Sequence, residues 1–275
     1  MFEGQGWWIT GASSGIGEAL AVALAAKGAR LVLSGRNVAA LEAVASKCGE
    51  CLILPFEAAD FAALPNLAEQ AWAWAGRIDG LVNNAGISQR SLAVDTDFEV
   101  YRRMIDVDLL GPIALTQAVL PRMVEAGGGR VVAISSVAGM AGVPLRTAYC
   151  AAKHGLIGYH DAVRAETAHL GIHVHVVCPG SIRTGVSRNA LNADGSTRGV
   201  SDAAIDNGMD PDEAARRILD GIETGTREII IAEGAEADLA SLARPNVEPI
   251  FDRMAGLMQA GYARQMAAEA QSKEG

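Results

Sequence analysis

"TGASSGIGEAL" occupies residues 10–20 and follows directly on a short apolar run, "WWIT" (7–10). A strand that turns into a helix through Gly11, Gly15 and Gly17 has a definite physical use. The first turn of a helix carries unpaired N–H groups and the positive end of the helix dipole. Glycines let that backbone approach a pyrophosphate closely and let the helix pack on the strand. The spacing here is GxxxGxG rather than GxGxxG, and a lone turn of this kind also serves as an ordinary connection.

Working outward, further apolar runs follow at 30–34 (RLVLS), 51–55 (CLILP), 79–84 (DGLVNN), 130–135 (RVVAIS), 172–178 (IHVHVVC) and 228–232 (EIIIA). Most lack in/out alternation, as strands covered on both faces do. Ala-rich helical stretches separate them, at 15–27, 38–47, 61–75, 97–125, 147–169 and 211–223. The last opens "DPDEAARR", with an Asp cap, Pro in the first turn and early acids. Strand–helix alternation of this kind predicts an α/β, Rossmann-like, doubly wound parallel sheet of about seven strands, with helices on both faces in a single domain. Residues 1–232 are expected to form the main body of that domain, with a polar loop at 185–209, and residues 233–275 a C-terminal helical extension of it. That extension holds one apolar helical stretch, "VEPIFDRMAGLM" (247–258).

Half of the 275 residues are hydrophobic, enough for a large core, and the net charge is −9. An acidic balance argues against a nucleic-acid partner. No apolar run approaches the ~18 residues of a membrane span, and "MFEGQGWWIT" lacks a basic start and a long apolar stretch, so no integral membrane segment and a cytoplasmic location are expected. Cys48 and Cys51 form a lone CxxC without two further ligands at similar spacing, and His173 and His175 lack a third, so no metal site is expected.

The second apolar run ends "LVLSGRN", and no acid lies between Glu18 and Glu42. A carboxylate at this strand end would bind ribose hydroxyls, whereas Arg36 suits a 2′-phosphate through charge-assisted bonds. The expected cofactor is therefore NADP(H). "TAYCAAKHG" (147–155) puts Tyr149 and Lys153 four residues apart, on one helix face. Taken alone, such a pair is more often a solvated surface. Tyrosine titrates near ~10 and is a poor base at neutral pH; bringing it there takes roughly 4 kcal/mol of preferential phenolate stabilisation. A neighbouring ammonium supplies part of that. Ser136, at the end of the fifth run, is placed to hydrogen-bond a reacting oxygen.

"TGASSGIG" (10–17), "NNAG" (83–86), Ser136, "YCAAK" (149–153) and "PGSIRT" (179–184), in that order, resemble the short-chain dehydrogenase/reductase family. The likeness covers about residues 6–232. It implies a catalytic group of Ser136, Tyr149 and Lys153, with Tyr149 as the acid/base of hydride transfer and Lys153 also on the nicotinamide ribose. It implies cofactor contacts from Gly11, Ser13, Ser14, Gly15, Ile16 and Gly17, from Asn83, Ala85 and Gly86, and from Pro179, Gly180, Ile182 and Thr184. Arg36 joins that set, and Glu57 stands nearest the place where the family has an Asp beside adenine. The family's Asn in the helix after the fourth strand is replaced by Asp108 in "VDLLG" (107–111), a fourth catalytic candidate whose charge can pair with Lys153.

Val137, Met140, Val143 and Pro144 follow the serine, Ile87 and Ser88 the fourth strand, and Ser181 the sixth. With Ser136 and Tyr149 they outline a substrate pocket for a moderately hydrophobic ketone, aldehyde or alcohol, over which residues 185–209 can order. The loop stretch also resembles a branch near the 11β-hydroxysteroid dehydrogenases. The family's habit of pairing its two long helices implies a homodimer or homotetramer. The leading expectation is an NADP(H)-dependent reductase or dehydrogenase; 3-oxoacyl-thioester reduction and a non-catalytic cofactor sensor are the alternatives.

Overall fold

In the computed structural model, which describes residues 1–262 and 264, seven strands run parallel: β1 (Gly6–Thr10), β2 (Arg30–Ser34), β3 (Cys51–Ile53), β4 (Gly80–Asn83), β5 (Gly129–Ile134), β6 (Ile172–Pro179) and β7 (Glu228–Ile231). Their order across the sheet is β3-β2-β1-β4-β5-β6-β7. Every residue of β1 and β4 is buried, so the missing alternation in these runs has its cause in two covered faces.

Helices α1 (Gly15–Ala26) and α2 (Val38–Cys48) follow β1 and β2, and α3 (Leu64–Ala75) follows β3. Then come α4 (Phe98–Ile105), α5 (Gly111–Glu125), α6 (Thr147–Thr167), the short α7 (Ala203–Asp206), α8 (Pro211–Glu223), α9 (Ala235–Ala243) and α10 (Glu248–Gln259). On one face, Leu20 and Leu24 of α1, Leu41 of α2 and Ile218 of α8 pack on Ile9, Leu33 and Val177. On the other, Leu64 of α3, Leu115 and Val119 of α5 and Val163 of α6 pack on Trp8, Leu81 and Val131. Trp8 is fully buried, and its Nε1 donates to Ser34 Oγ at 2.8 Å. Between β1 and β4 the chain leaves in opposite directions, to β2 on one side and to β5 on the other. That reversal opens a crevice at the carboxyl ends of the strands.

Three departures from the expected elements matter. The stretch 97–125 is not one regular helix: a π turn (Asp106–Leu110) joins α4 to α5. Such turns add a residue to the helical repeat and re-aim the side chains around them. The joined helix Phe98–Glu125 is also long and apolar enough to cross a membrane by length and composition, although Arg102, Arg103, Asp106 and Asp108 break any continuous apolar run. It packs against α3 and α6. The extension holds α9, which the sequence reading lacks, besides α10 at nearly the expected place. The rest of the expected extension, 263 and 265–275, lies outside the described residues. Finally, α10 lies along α6, and the two line an apolar groove of about 490 Å³ with Phe251, Met254 and Leu257. α6, one of the two long helices expected to pair with a second copy, thus shares its Asp161–Glu166 stretch with α10.

Candidate active site

At the glycine turn, Gly11 and Gly15 have φ of 63° and 59°, a region L-residues avoid. Ser14 caps α1 in extended conformation without a side-chain hydrogen bond, leaving the first N–H groups of the helix to another acceptor. A Cβ on Gly17 would stand 2.3 Å from the Gly11 carbonyl oxygen, and one on Gly15 would stand 2.9 Å from Thr184 Cγ2. The first keeps α1 against the end of β1; the second brings the segment after β6 onto the turn. These are the features of a pyrophosphate cradle, and the donor set fits a dinucleotide.

Thr10 and Asn84 lock the two central strand ends together. Thr10 Oγ1 accepts from the N–H groups of Asn84 (2.9 Å) and Ala85 (3.0 Å), and Asn84 Nδ2 donates to Thr10 O (2.9 Å) and Gly11 O (3.2 Å). Asn83, expected at the cofactor, instead turns its amide inward onto Thr116 Oγ1 at 2.9 Å. Strand alternation explains the exchange: neighbours 83 and 84 point to opposite sides. Asn84 went unrecognised because "NNAG" offers two equal amides.

Beside the end of β2, a Cβ on Gly35 would meet Ser13 Oγ at 3.5 Å, and Arg36 Nη1 lies 3.6 Å from Glu57 Oε2. Both side chains of that ion pair are largely exposed. Glu57 therefore meets the arginine rather than standing alone at the adenine edge.

Ser136 lies two residues beyond β5 and caps a single 3₁₀ turn (Val137–Gly139), its Oγ accepting from Ala138 N at 3.1 Å and donating to Pro179 O at 3.3 Å. Tyr149 sits in the first turn of α6, half-buried, its ring packed with Ile87 against a cluster that includes Ala152 and Leu191. Lys153 Nζ lies 5.6 Å from the Tyr149 ring centroid. The same Nζ donates to Ile134 O at 3.0 Å and stands 3.2 Å from Asp108 Oδ2. Asp108 is completely buried on the π turn, and its Oδ1 accepts from Ile87 N at 2.8 Å. A Cβ on Gly86 would come within 2.9 Å of Asp108 Oδ2 and 3.4 Å of Lys153 Nζ, so Gly86 makes room for this pair. Burial works against the Lys153 ammonium, but the Asp108 carboxylate beside it helps outweigh that cost, and its pKa stays above the usual lysine value. Burial pushes the Asp108 carboxyl up, against the pull of Lys153 and of the Ile87 N–H.

The segment "PGSIRT" is pinned from α9. Glu236 accepts from Ser181 N at 2.7 Å and from Ser181 Oγ at 2.9 Å, and a Cβ on Gly180 would strike its Oε2 at 2.2 Å. Glu236 is thus a structural anchor, and Ser181, expected at the substrate, is engaged by it. Ile182 is buried in the core beneath. Residues 185–209 are held by charge: Asp202 takes Arg90 Nε at 2.6 Å and Arg198 Nη1 at 2.5 Å. Leu191 N donates to Ser88 O at 2.8 Å and Arg90 N to Leu191 O at 2.9 Å. Burial opposes the Asp202 carboxylate, yet hydrogen bonds from Ser187, Arg198 and Arg90 hold its pKa well below the usual carboxylate range.

The expected pocket wall needs correction. Val137 and Met140 are buried with Ile157, Val176 and Ala240, under α9 rather than facing an open site. The 3₁₀ turn after Ser136 rotates these two side chains into the core, which a linear reading cannot foresee. Val143 is only partly buried, and its N–H donates to Cys150 Sγ at 3.3 Å.

A sequence model described as "short chain dehydrogenase" matches residues 7–194. "Dehydrogenase/reductase SDR family member 7B" of Danio rerio is 39% identical over 235 residues, covering 82% of this chain and 76% of that protein. "Dehydrogenase/reductase SDR family member 7" of Homo sapiens is 38% identical over 235 residues, covering 82% and 69%. Among solved structures, a short-chain dehydrogenase from Streptomyces avermitilis superposes with a TM-score of 0.78 at 28% identity, over 94% of this chain and 97% of that one.

Proposed function

The chain belongs to the short-chain dehydrogenase family, an oxidoreductase family that uses nicotinamide cofactors, and from that premise we propose that it interconverts a ketone or aldehyde with an alcohol on a moderately hydrophobic substrate, with NADP(H). The observation that carries the reading is Tyr149 beside a buried Lys153, with Nζ 5.6 Å from the ring, in the crevice that also holds the glycine turn.

The free N–H groups of Gly15, Ile16 and Gly17 hold the pyrophosphate, and Lys153 the nicotinamide ribose. Arg36 leaves Glu57 for the 2′-phosphate, with Ser13 beside it. Ser136 exchanges its 3.3 Å bond to Pro179 O for the substrate oxygen. Tyr149 gives its proton to that oxygen in reduction and takes one from the alcohol in oxidation. A bound nicotinamide would supply or accept the hydride at the substrate carbon. Ile87 and Leu191, in the cluster against the Tyr149 ring, offer the apolar wall that favours a hydrophobic substrate. A cytoplasmic, self-associating enzyme completes the reading, with the α6 face now shared with α10.

The test is consumption of NADPH and NADH by the purified chain against neutral ketones, aldehydes and acetoacetyl thioesters. The reading expects turnover with kcat/KM higher for NADPH. A preference for NADH removes the role of Arg36. A preference for thioesters selects 3-oxoacyl reduction. Tight NADPH binding without any turnover points to a sensor.

A further inference from the structure

The buried carboxylate of Asp108 is the feature of this site that the proton transfer just described does not use. It is completely buried, is tied by Oδ1 to Ile87 N, and turns Oδ2 to Lys153 Nζ at 3.2 Å without making a hydrogen bond. Its place is built in. The π turn re-aims residue 108 toward the sheet, and the bare Cα of Gly86 leaves the space it needs. A buried carboxylate stays charged only when a cation balances it. Here the balancing cation is the same ammonium that flanks the phenol ring. The ionisable groups facing the pair are few. Tyr149 and Lys153 come from α6 and Cys178 from β6, while the segment Ala85–Ile87 and the end of β5 present backbone and hydroxyl groups only. Burial pushes the Cys178 thiol up to about 12, so it stays neutral.

We propose that Asp108 is a positioning residue that spends most of the Lys153 charge on itself, so that Tyr149 is held as a proton donor and the site is biased at neutral pH toward carbonyl reduction. The sign follows from charge alone. A phenolate next to an ammonium is favoured; a phenolate next to a neutralised ion pair is favoured less. Oxidation needs the phenolate and reduction needs the phenol. Both rates are therefore displaced toward higher pH relative to a site with an uncharged residue at 108. The inference rests on Tyr149 being the acid/base.

The experiment records kcat/KM against pH in both directions for the wild type, Asp108→Asn and Asp108→Ala, with melting temperature as the check on folding. Asp108→Asn should move the rise of the oxidation profile and the fall of the reduction profile to lower pH together, by about one to two pH units. At neutral pH, oxidation should gain about tenfold. Asp108→Ala removes the same charge and should shift the profiles in the same direction even if the melting temperature falls. Profiles that superimpose on the wild type, or a uniform loss at every pH without a shift, overturn the inference. Tyr149→Phe separates the two failures. If that variant is inactive while Asp108→Asn leaves the profiles in place, only the Asp108 assignment falls. If Tyr149→Phe stays active, the proton-transfer reading falls with it.

Discussion

At the glycine turn the chain keeps its shape by leaving side chains out; around residues 185–209 it does so by adding charged ones. Gly17 lies so close to Gly11 that a single methyl would collide with backbone, and two φ values near 60° admit little but glycine. The substrate loop also uses glycine, with positive φ at Gly195 and Gly199 and no room for a Cβ on Gly208 against the Ser181 backbone, but charged side chains fasten it to its surroundings. Asp202 ties it to Arg90 after β4 and to Arg198 within the loop, and Glu236 of α9 ties down the segment before it. A turn packed too closely to admit even a methyl group suits a cofactor bound the same way each time. A loop built on ion pairs can open and close again, which suits a substrate that must enter and leave.

The sharpest way to break this contrast is Gly17→Ala. Its Cβ would stand 2.3 Å from Gly11 O and 2.5 Å from Asn84 Nδ2, both parts of the locked strand ends. NADPH affinity, measured by fluorescence titration, should fall by about a hundredfold, and the melting temperature should drop with it. An affinity within a few-fold of the wild type would show that the turn is not the cradle.

Asp202→Ala tests the other side. It strands Arg90, whose side chain is only 7% exposed, and should cost roughly 2–4 kcal/mol, read by denaturant unfolding and by faster proteolysis within 185–209. Substrate KM should rise while NADPH affinity stays near the wild-type value. The pH sign is set by the lowered pKa of Asp202. The clamp's contribution is fully present above the unfolded carboxylate value of ~3.9 and is lost only as pH falls further, through the lower folded value. A loop that opens at mildly acidic pH would contradict the ion-pair account.

The smallest effect belongs to Glu236→Gln, which keeps the shape and removes the negative charge that accepts from Ser181. It should cost on the order of 1 kcal/mol and raise the KM for cofactor a few-fold. No change in that KM would mean that α9 does not steady the segment after β6.

The two regions also differ in how far they were legible. The glycine turn, the parallel sheet and the spacing of Tyr149 and Lys153 follow local rules: period, strand–helix alternation and residues that tolerate an unusual φ. Asn84 was missed only by one position, since both amides of "NNAG" are equal until the strand decides which way each points. Nothing local marks Glu236 as the partner of Ser181, 55 positions away, or Asp202 as the partner of Arg90, 112 positions away. Val137 and Met140 were misplaced for a related reason, because one 3₁₀ turn rotates them from the pocket into the core. The pairing of Asp108 with Lys153 is legible from the family likeness, but the π turn at Asp106–Leu110 that brings the two together lies within an unbroken helical pattern and is not.

The proposed reaction depends on the phenol of Tyr149 carrying the proton. The direct measurement is single-turnover reduction of a ketone by wild type and Tyr149→Phe, each saturated with NADPH. Losing the hydroxyl should slow the step by at least about a hundredfold while the cofactor still binds. A rate within twofold of the wild type would show that the proton comes from elsewhere.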